Sequence, residues 1–231
     1  MDRILAWFAQ LNFSSLLDGL AVIVAAVLSI TVHETCHGLV AWWLGDPTAK
    51  NAGRLTLNPL KHIDLVGLVL LAVVKFGWAK PVPIDMRNFK NPKAGMAVTA
   101  LAGPVSNVLL AYAALLVRSV LVFFAARNSA SAPLSFFIDL TAYLAVISAG
   151  LAVFNLFPVP PLDGSKVLFA FLPQRAYRVL MRYERYGMLV MMALLLTGVL
   201  DTPLLFLRNG LLSGLQQLSA FPFDLLVKLY G

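Results

Sequence analysis

The sequence predicts an all-α polytopic membrane protein, with about five transmembrane helices, a short re-entrant helix and small extended or β segments near the cytosolic face. Composition is the first observation behind this. Of 231 residues, 60% are hydrophobic and only 13% charged, with a mean hydropathy of +0.82. That profile excludes disorder, a fibrous repeat and an ordinary water-soluble fold. The second is the length of the charge-free runs, since a helix crossing the hydrocarbon layer needs about 20 apolar residues. No charge interrupts the chain between Lys93 and Arg118 or between Asp139 and Asp163. Between Asp18 and Asp46 the only ionisable side chains are His33, Glu34, Cys36 and His37.

The elements follow in order. A weakly charged, amphipathic stretch, Met1 to Phe13, precedes the first apolar run and carries no small-residue cleavage signature, so that run is expected to be a retained helix. It extends from about Leu16 to Leu44 and stops at Gly45-Asp46-Pro47, a helix-ending glycine followed by a proline. The alternation in Arg54-Leu55-Thr56-Leu57-Asn58 suits a short strand. Leu65 to Val74 is apolar but too short to cross, which predicts a re-entrant or interfacial helix. Two prolines in Gly77-Trp78-Ala79-Lys80-Pro81-Val82-Pro83-Ile84 forbid continuous helix and predict an extended loop or edge hairpin beside the membrane.

Further spans are predicted at about Ala94 to Phe123, Leu134 to Phe157 and Tyr186 to Leu200, with a last apolar region from Pro203 to Leu229. Residues 1–231 are thus expected to form a single membrane-embedded domain, its core at about 16–171 and its C-terminal helices at about 186–229. Thirteen of the eighteen Lys and Arg fall in the segments between the first and second long spans and in the loop from Gly164 to Arg185. By the positive-inside rule that face is cytosolic and the N-terminus outside. The net charge of +7 therefore reads as topology, with no nucleic-acid partner expected. The single Cys36 excludes an intrachain disulfide framework.

Chemistry concentrates at His33-Glu34-Thr35-Cys36-His37, an HExxH motif inside an apolar helix. Positions four apart share a helix face, so both imidazoles can grip one zinc ion while Glu34 reaches its water. Two imidazoles and a carboxylate serve no packing purpose at membrane depth, where each is costly to desolvate. A catalytic zinc commonly has three protein ligands. The third candidate is Asp163, placed where a span is broken by Pro158, Pro160 and Pro161 and followed by Gly164; the alternative is an N-cap for a helix starting near Ser165. The remaining histidine, His62, lies in Asn58-Pro59-Leu60-Lys61-His62-Ile63-Asp64 and reads as a satisfied or solvated side chain. Pro104 frees the carbonyl of Ala100, and Asn107 and Asn155 bring amides to the spans. Those amides either bond neighbouring helices or steady an oxyanion or substrate backbone.

HExxH in the first span, Gly103-Pro104-Val105-Ser106-Asn107 in a later one, and Asn155-Leu156-Phe157-Pro158-Val159-Pro160-Pro161-Leu162-Asp163-Gly164 resemble, in order and spacing, the three signatures of the site-2 protease family of intramembrane zinc metalloproteases. The resemblance covers about Leu16 to Phe171. It implies one zinc held by His33, His37 and Asp163, with Glu34 as general base. It also implies single-pass transmembrane substrates cut within the membrane, often after another protease has shortened them; with the Lys- and Arg-rich face in the cytosol, the site is expected to open toward that side. The PDZ or CBS domains of larger members have no counterpart in this sequence. Capture of an unwound peptide by strand addition is expected at Arg54 to Asn58 or Lys80 to Ile84. The competing class is a non-enzymatic one: a pseudoprotease that binds transmembrane helices, which would be free to lose Glu34, or a metal carrier, which would need further polar groups along the spans.

Overall fold

The computed structural model describes residues 16–64, 79–128, 131–183 and 186–230. Within them the chain is helical: α1 (Leu16–Trp43), α2 (Pro92–Asn128), α3 (Ala132–Asn155), α4 (Asp163–Ala170), α5 (Gln174–Tyr183), α6 (Gly187–Thr197), α7 (Asp201–Leu218) and α8 (Phe221–Tyr230). Three of these, α1, α2 and α3, are long and apolar enough to cross a membrane. At 1.5 Å per residue, α2 is about 55 Å long and α3 about 36 Å, both beyond the roughly 30 Å of a hydrocarbon core. The protein is an integral membrane protein on this evidence.

The three long helices pack on one another, and small residues let them close. Ala111, Ala114 and Leu115 of α2 meet Ala145 and Ala149 of α3, with Leu212 and Leu215 of α7 completing the cluster. Val22 and Ala25 of α1 meet Ile147 of α3. Ser29 of α1 and Ser148 of α3 share a buried hydrogen bond of 2.7 Å, the interhelical bond expected where lipid offers no competing partner.

Two expectations need correction. The run Tyr186 to Leu200 does not form a span by itself: α6 is eleven residues long, or about 16 Å. It ends at Gly198 in the left-handed region (φ 68°), a conformation open to glycine. There the chain turns through 88°, so α6 with α7 and α8 makes at most one broken span; the described helices supply three spans or up to four, which does not confirm the expected count of about five.

The second correction concerns β structure, since no strand is present among the described residues. Thr48–Asn51 forms one helical turn, and Pro59–Lys61 a 3-10 turn that Asn58 caps by accepting from the Leu60 N–H. Two of the main-chain groups of Arg54 to Asn58 that would build a ladder are already used: Thr56 Oγ1 accepts from the Asn58 N–H, and the Thr56 carbonyl accepts from Thr35 Oγ1. Lys80 to Ile84 is irregular, non-helical chain. Met1 to Phe13 and the predicted re-entrant helix at Leu65 to Val74 lie outside the described residues.

Candidate metal centre

The site is built on α1. His33 and His37, one helical turn apart, stack edge to face with ring centroids 4.5 Å apart and planes at 89°. Their Nε2 atoms approach to 3.0 Å. Asp163 Oδ2 lies 3.2 Å from His33 Nε2 and 3.1 Å from His37 Nε2, and all three side chains are buried. Asp163 opens α4 after Leu162, which holds the N-cap position, so the carboxylate is not the cap for a helix starting near Ser165. Its depth follows from Gly164: a Cβ there would sit 2.1 Å from the Leu156 carbonyl oxygen, so only glycine lets the start of α4 pack flush on the end of α3. The other oxygen of Asp163, Oδ1, faces Lys166 Nζ at 3.4 Å.

The helix opposite makes room for the rings. A Cβ on Gly103 would lie 2.5 Å from His33 Cε1 and from His37 Nε2, closer than any side chain tolerates. The same stretch of α2 orients the imidazoles. His37 Nδ1 is 2.7 Å from the Thr99 carbonyl, which accepts its proton and leaves the Nε2 lone pair directed at the cluster. That carbonyl belongs to Thr99, one residue before the Ala100 carbonyl that Pro104 frees. Asn107 Nδ2 lies 3.2 Å from His33 Nδ1, while its Oδ1 is buried without a partner among the described residues. If His33 uses Nε2 as a ligand, its Nδ1 carries a proton and needs an acceptor; the same amide turned by 180° supplies Oδ1 and removes the orphan.

These residues fit a zinc ion. Zinc takes imidazole and carboxylate donors at about 2.0–2.2 Å, which places tetrahedral donors roughly 3.3 Å apart. The observed separations of 3.0, 3.2 and 3.1 Å are close to that. Among the described residues this trio is the one grouping of three such side chains that could hold a metal.

The other predicted residues fall in different places. Glu34 is half-buried, and its Oε2 accepts the Val82 N–H at 3.0 Å. His62 is buried away from the cluster, its Nε2 2.9 Å from the Thr56 carbonyl, while its Nδ1 has no hydrogen-bond partner among the described residues, so it is neither solvated nor fully satisfied. Asn155 donates to the Leu151 carbonyl of its own helix at 3.0 Å and does not join the trio. Sequence reasoning missed the roles of the Thr99 carbonyl, the clearance at Gly103 and Lys166. Gly103 had a signal, because it precedes the proline of the GPxxN stretch.

A model of peptidase family M50 matches residues 120–198, a stretch holding Asn155, Asp163 and Lys166. YwhC of Bacillus subtilis, whose name assigns it provisionally to the zinc metalloproteases, is 36% identical over 178 residues, covering 76% of this chain and 80% of that protein. The chain belongs to peptidase family M50. Rip2 of Mycolicibacterium smegmatis, another M50 relative with a provisional zinc-metalloprotease name, is 29% identical over 204 residues, covering 85% of this chain and 76% of its own. Rip2 of Mycobacterium tuberculosis strain H37Rv is 29% identical over 206 residues with the same coverage. No solved structure matches the chain. This M50 protein is a zinc metalloprotease of the site-2 type, as its HExxH helix and the resemblance in its three motifs imply.

Proposed function

We propose that this M50 protein hydrolyses peptide bonds within or beside the transmembrane segments of single-pass membrane proteins. The observation that carries the reading is the depth of the trio. His37 and His33 precede the end of α1 at Trp43 by six and ten residues, or about 9 and 15 Å, on a helix apolar enough to span. A protease acting on soluble chains has no use for a site at that depth.

His33, His37 and Asp163 would hold one zinc ion, and Glu34 is the general base. Zinc bound there supplies Lewis acidity, polarising the scissile carbonyl and making water a nucleophile near neutral pH. Glu34 takes the proton released on attack and returns it to the leaving amine. Thr99 and Asn107 keep the two imidazoles turned toward the ion, and Lys166 holds the second oxygen of Asp163, so the ligand carboxylate stays fixed. A helical substrate buries its carbonyls in its own i to i−4 ladder and must be unwound before attack. The Lys- and Arg-rich segments lie in the cytosol, the N-terminus lies outside, and the site opens to the cytosolic side.

The test is turnover of a single-pass transmembrane peptide by the purified protein in liposomes, with cut positions read by mass spectrometry. Cleavage inside the apolar segment, abolished by a zinc chelator and restored by zinc, is expected. Tight binding of the peptide by the zinc-loaded protein without any cleavage would make it a helix-binding protein and overturn the proposal.

A further inference from the structure

Just past the end of α1, two buried charges each reach a main-chain group of one short segment. Asp46 is fully buried and accepts from the Thr48 N–H and hydroxyl, from Asn88 Nδ2 at 2.7 Å and from the Asp85 N–H at 2.8 Å. Burial pushes its carboxyl up, but the hydrogen bonds from Thr48, Asn88 and Asp85 outweigh this and hold it below the usual carboxylate range. Arg54 is also buried; its Nη2 donates to the Lys80 carbonyl at 2.6 Å, and it has no carboxylate partner among the described residues. The Lys80 N–H in turn donates to the His62 carbonyl at 2.9 Å.

Both charges therefore grip one strap, residues 80–85, at its two ends. Burying an unpaired anion or cation is costly, so a pair of them on a single short segment needs a reason beyond packing. The middle of the strap supplies one. Pro81 and Pro83 have no N–H, which leaves Val82 as the one donor between Lys80 and Ile84, and that donor goes to Glu34 Oε2 at 3.0 Å. Gly38, one turn after Glu34 on the same face of α1, clears the way: a Cβ there would lie 3.2 Å from Val82 Cγ1 and 2.7 Å from Leu55 Cδ2.

We propose that Asp46 and Arg54 are positioning residues for catalysis: they fix the strap in register, and the Val82 N–H then sets the orientation of the Glu34 carboxylate. The proposal rests on Glu34 being the base of the proposed reaction. A glutamate on a flexible stem gains from such a tether, because misplacing a reacting group by about 1 Å can cost about 100-fold in rate.

The experiment uses the full-length, zinc-loaded protein with a transmembrane peptide substrate, and compares Asp46→Asn, Arg54→Met, Arg54→Lys and Val82→Pro with wild type. Zinc content, kcat, KM and amide hydrogen exchange over residues 79–88 are read for each. Asp46→Asn and Arg54→Met should keep zinc, speed exchange of the strap amides and lower kcat about 10- to 100-fold with KM within about twofold. Arg54→Lys, which retains a cationic donor, should recover part of kcat. Val82→Pro deletes the donor while leaving both clamps in place, so it should lower kcat by a similar factor even if an Asp46 variant fails to fold. Faster exchange with unchanged kcat overturns the proposal. So does a rise in KM at constant kcat, which would assign the strap to peptide capture. Wild-type turnover is the separate control: if wild type cuts nothing, the protease reading falls as well, whereas wild-type cleavage with unaffected variants removes the positioning role alone.

Discussion

Two seams of small residues run through this bundle, and they are put to different uses. Along α2, Gly103 faces α1 and leaves space that the imidazoles of His33 and His37 fill. Further along the same helix, Ala111 and Ala114 face Ala145 and Ala149 of α3, and the space closes with Leu212 and Leu215 of α7. Lipid tails are as apolar as leucine, so small residues that permit close helix approach do work in a membrane that hydrophobic burial does in water. At the alanine seam the approach itself is the result. At the Gly103 seam it serves a polar cluster whose donors must meet within about one zinc-ligand separation. Substitution at the Gly103 seam should therefore be read out in metal and turnover, and at the alanine seam in stability.

The largest effects belong to the groups that meet the reaction. Glu34→Gln should keep zinc and lower cleavage of a transmembrane peptide by about 10²- to 10⁴-fold, the range for losing a positioned base. Asp163→Asn should lose metal and cleavage together, because the carboxylate 3.1 to 3.2 Å from both imidazoles is replaced by a neutral amide. Metal analysis beside turnover separates the two. Full zinc occupancy in Asp163→Asn would break the comparison at its polar end.

Gly103→Ala comes next. A methyl group 2.5 Å from His33 Cε1 and His37 Nε2 has nowhere to go without parting α1 from α2 or turning the rings. Overpacking of this kind costs about 1–3 kcal/mol, and here it falls on ligand geometry, so zinc affinity measured by chelator competition should drop about 5- to 150-fold. The two asparagines sharpen the contrast further. Asn107→Ala should weaken zinc binding about 10- to 100-fold, as loss of a group that orients a ligand imidazole commonly does. Asn155→Ala should leave zinc affinity at the wild-type value, because that amide bonds the Leu151 carbonyl of its own helix.

The polar seam was readable from sequence to the extent that side chains carry it. Four-residue spacing puts His33 and His37 on one face whatever surrounds them, and a helix interrupted by three prolines before Asp163 marks where chain can unwind at depth. Main-chain partners left no such mark. The Thr99 carbonyl and the Val82 N–H could belong to any residue, and only the packing of α2 and the strap against α1 brings them to His37 and Glu34. Periodicity misled in two places for related reasons. Arg54 to Asn58 alternates like a strand, yet Thr56 and Asn58 spend their polar groups on local turns and on α1. Tyr186 to Leu200 is apolar like a span, yet apolarity cannot report the left-handed Gly198 that turns the chain toward α7. The alanine seam was likewise hidden, since small residues on an apolar span do not announce which neighbour they face.

The smallest effect tests that seam. Ala145 is buried among Ala111, Ala114 and Leu215, so Ala145→Leu adds volume where α2, α3 and α7 are in contact. The helices must move apart to admit it, at a cost of about 1–3 kcal/mol, which thermal unfolding in detergent should show as a lowered midpoint. The trio is built on α1 and the start of α4, against the early part of α2, and no residue of this cluster belongs to it. Zinc affinity should therefore stay at the wild-type value below the unfolding transition. If Ala145→Leu instead weakens zinc as Gly103→Ala does, the two seams are one mechanical unit, and the placement of His33 and His37 depends on the whole α2–α3 contact rather than on the clearance beside them.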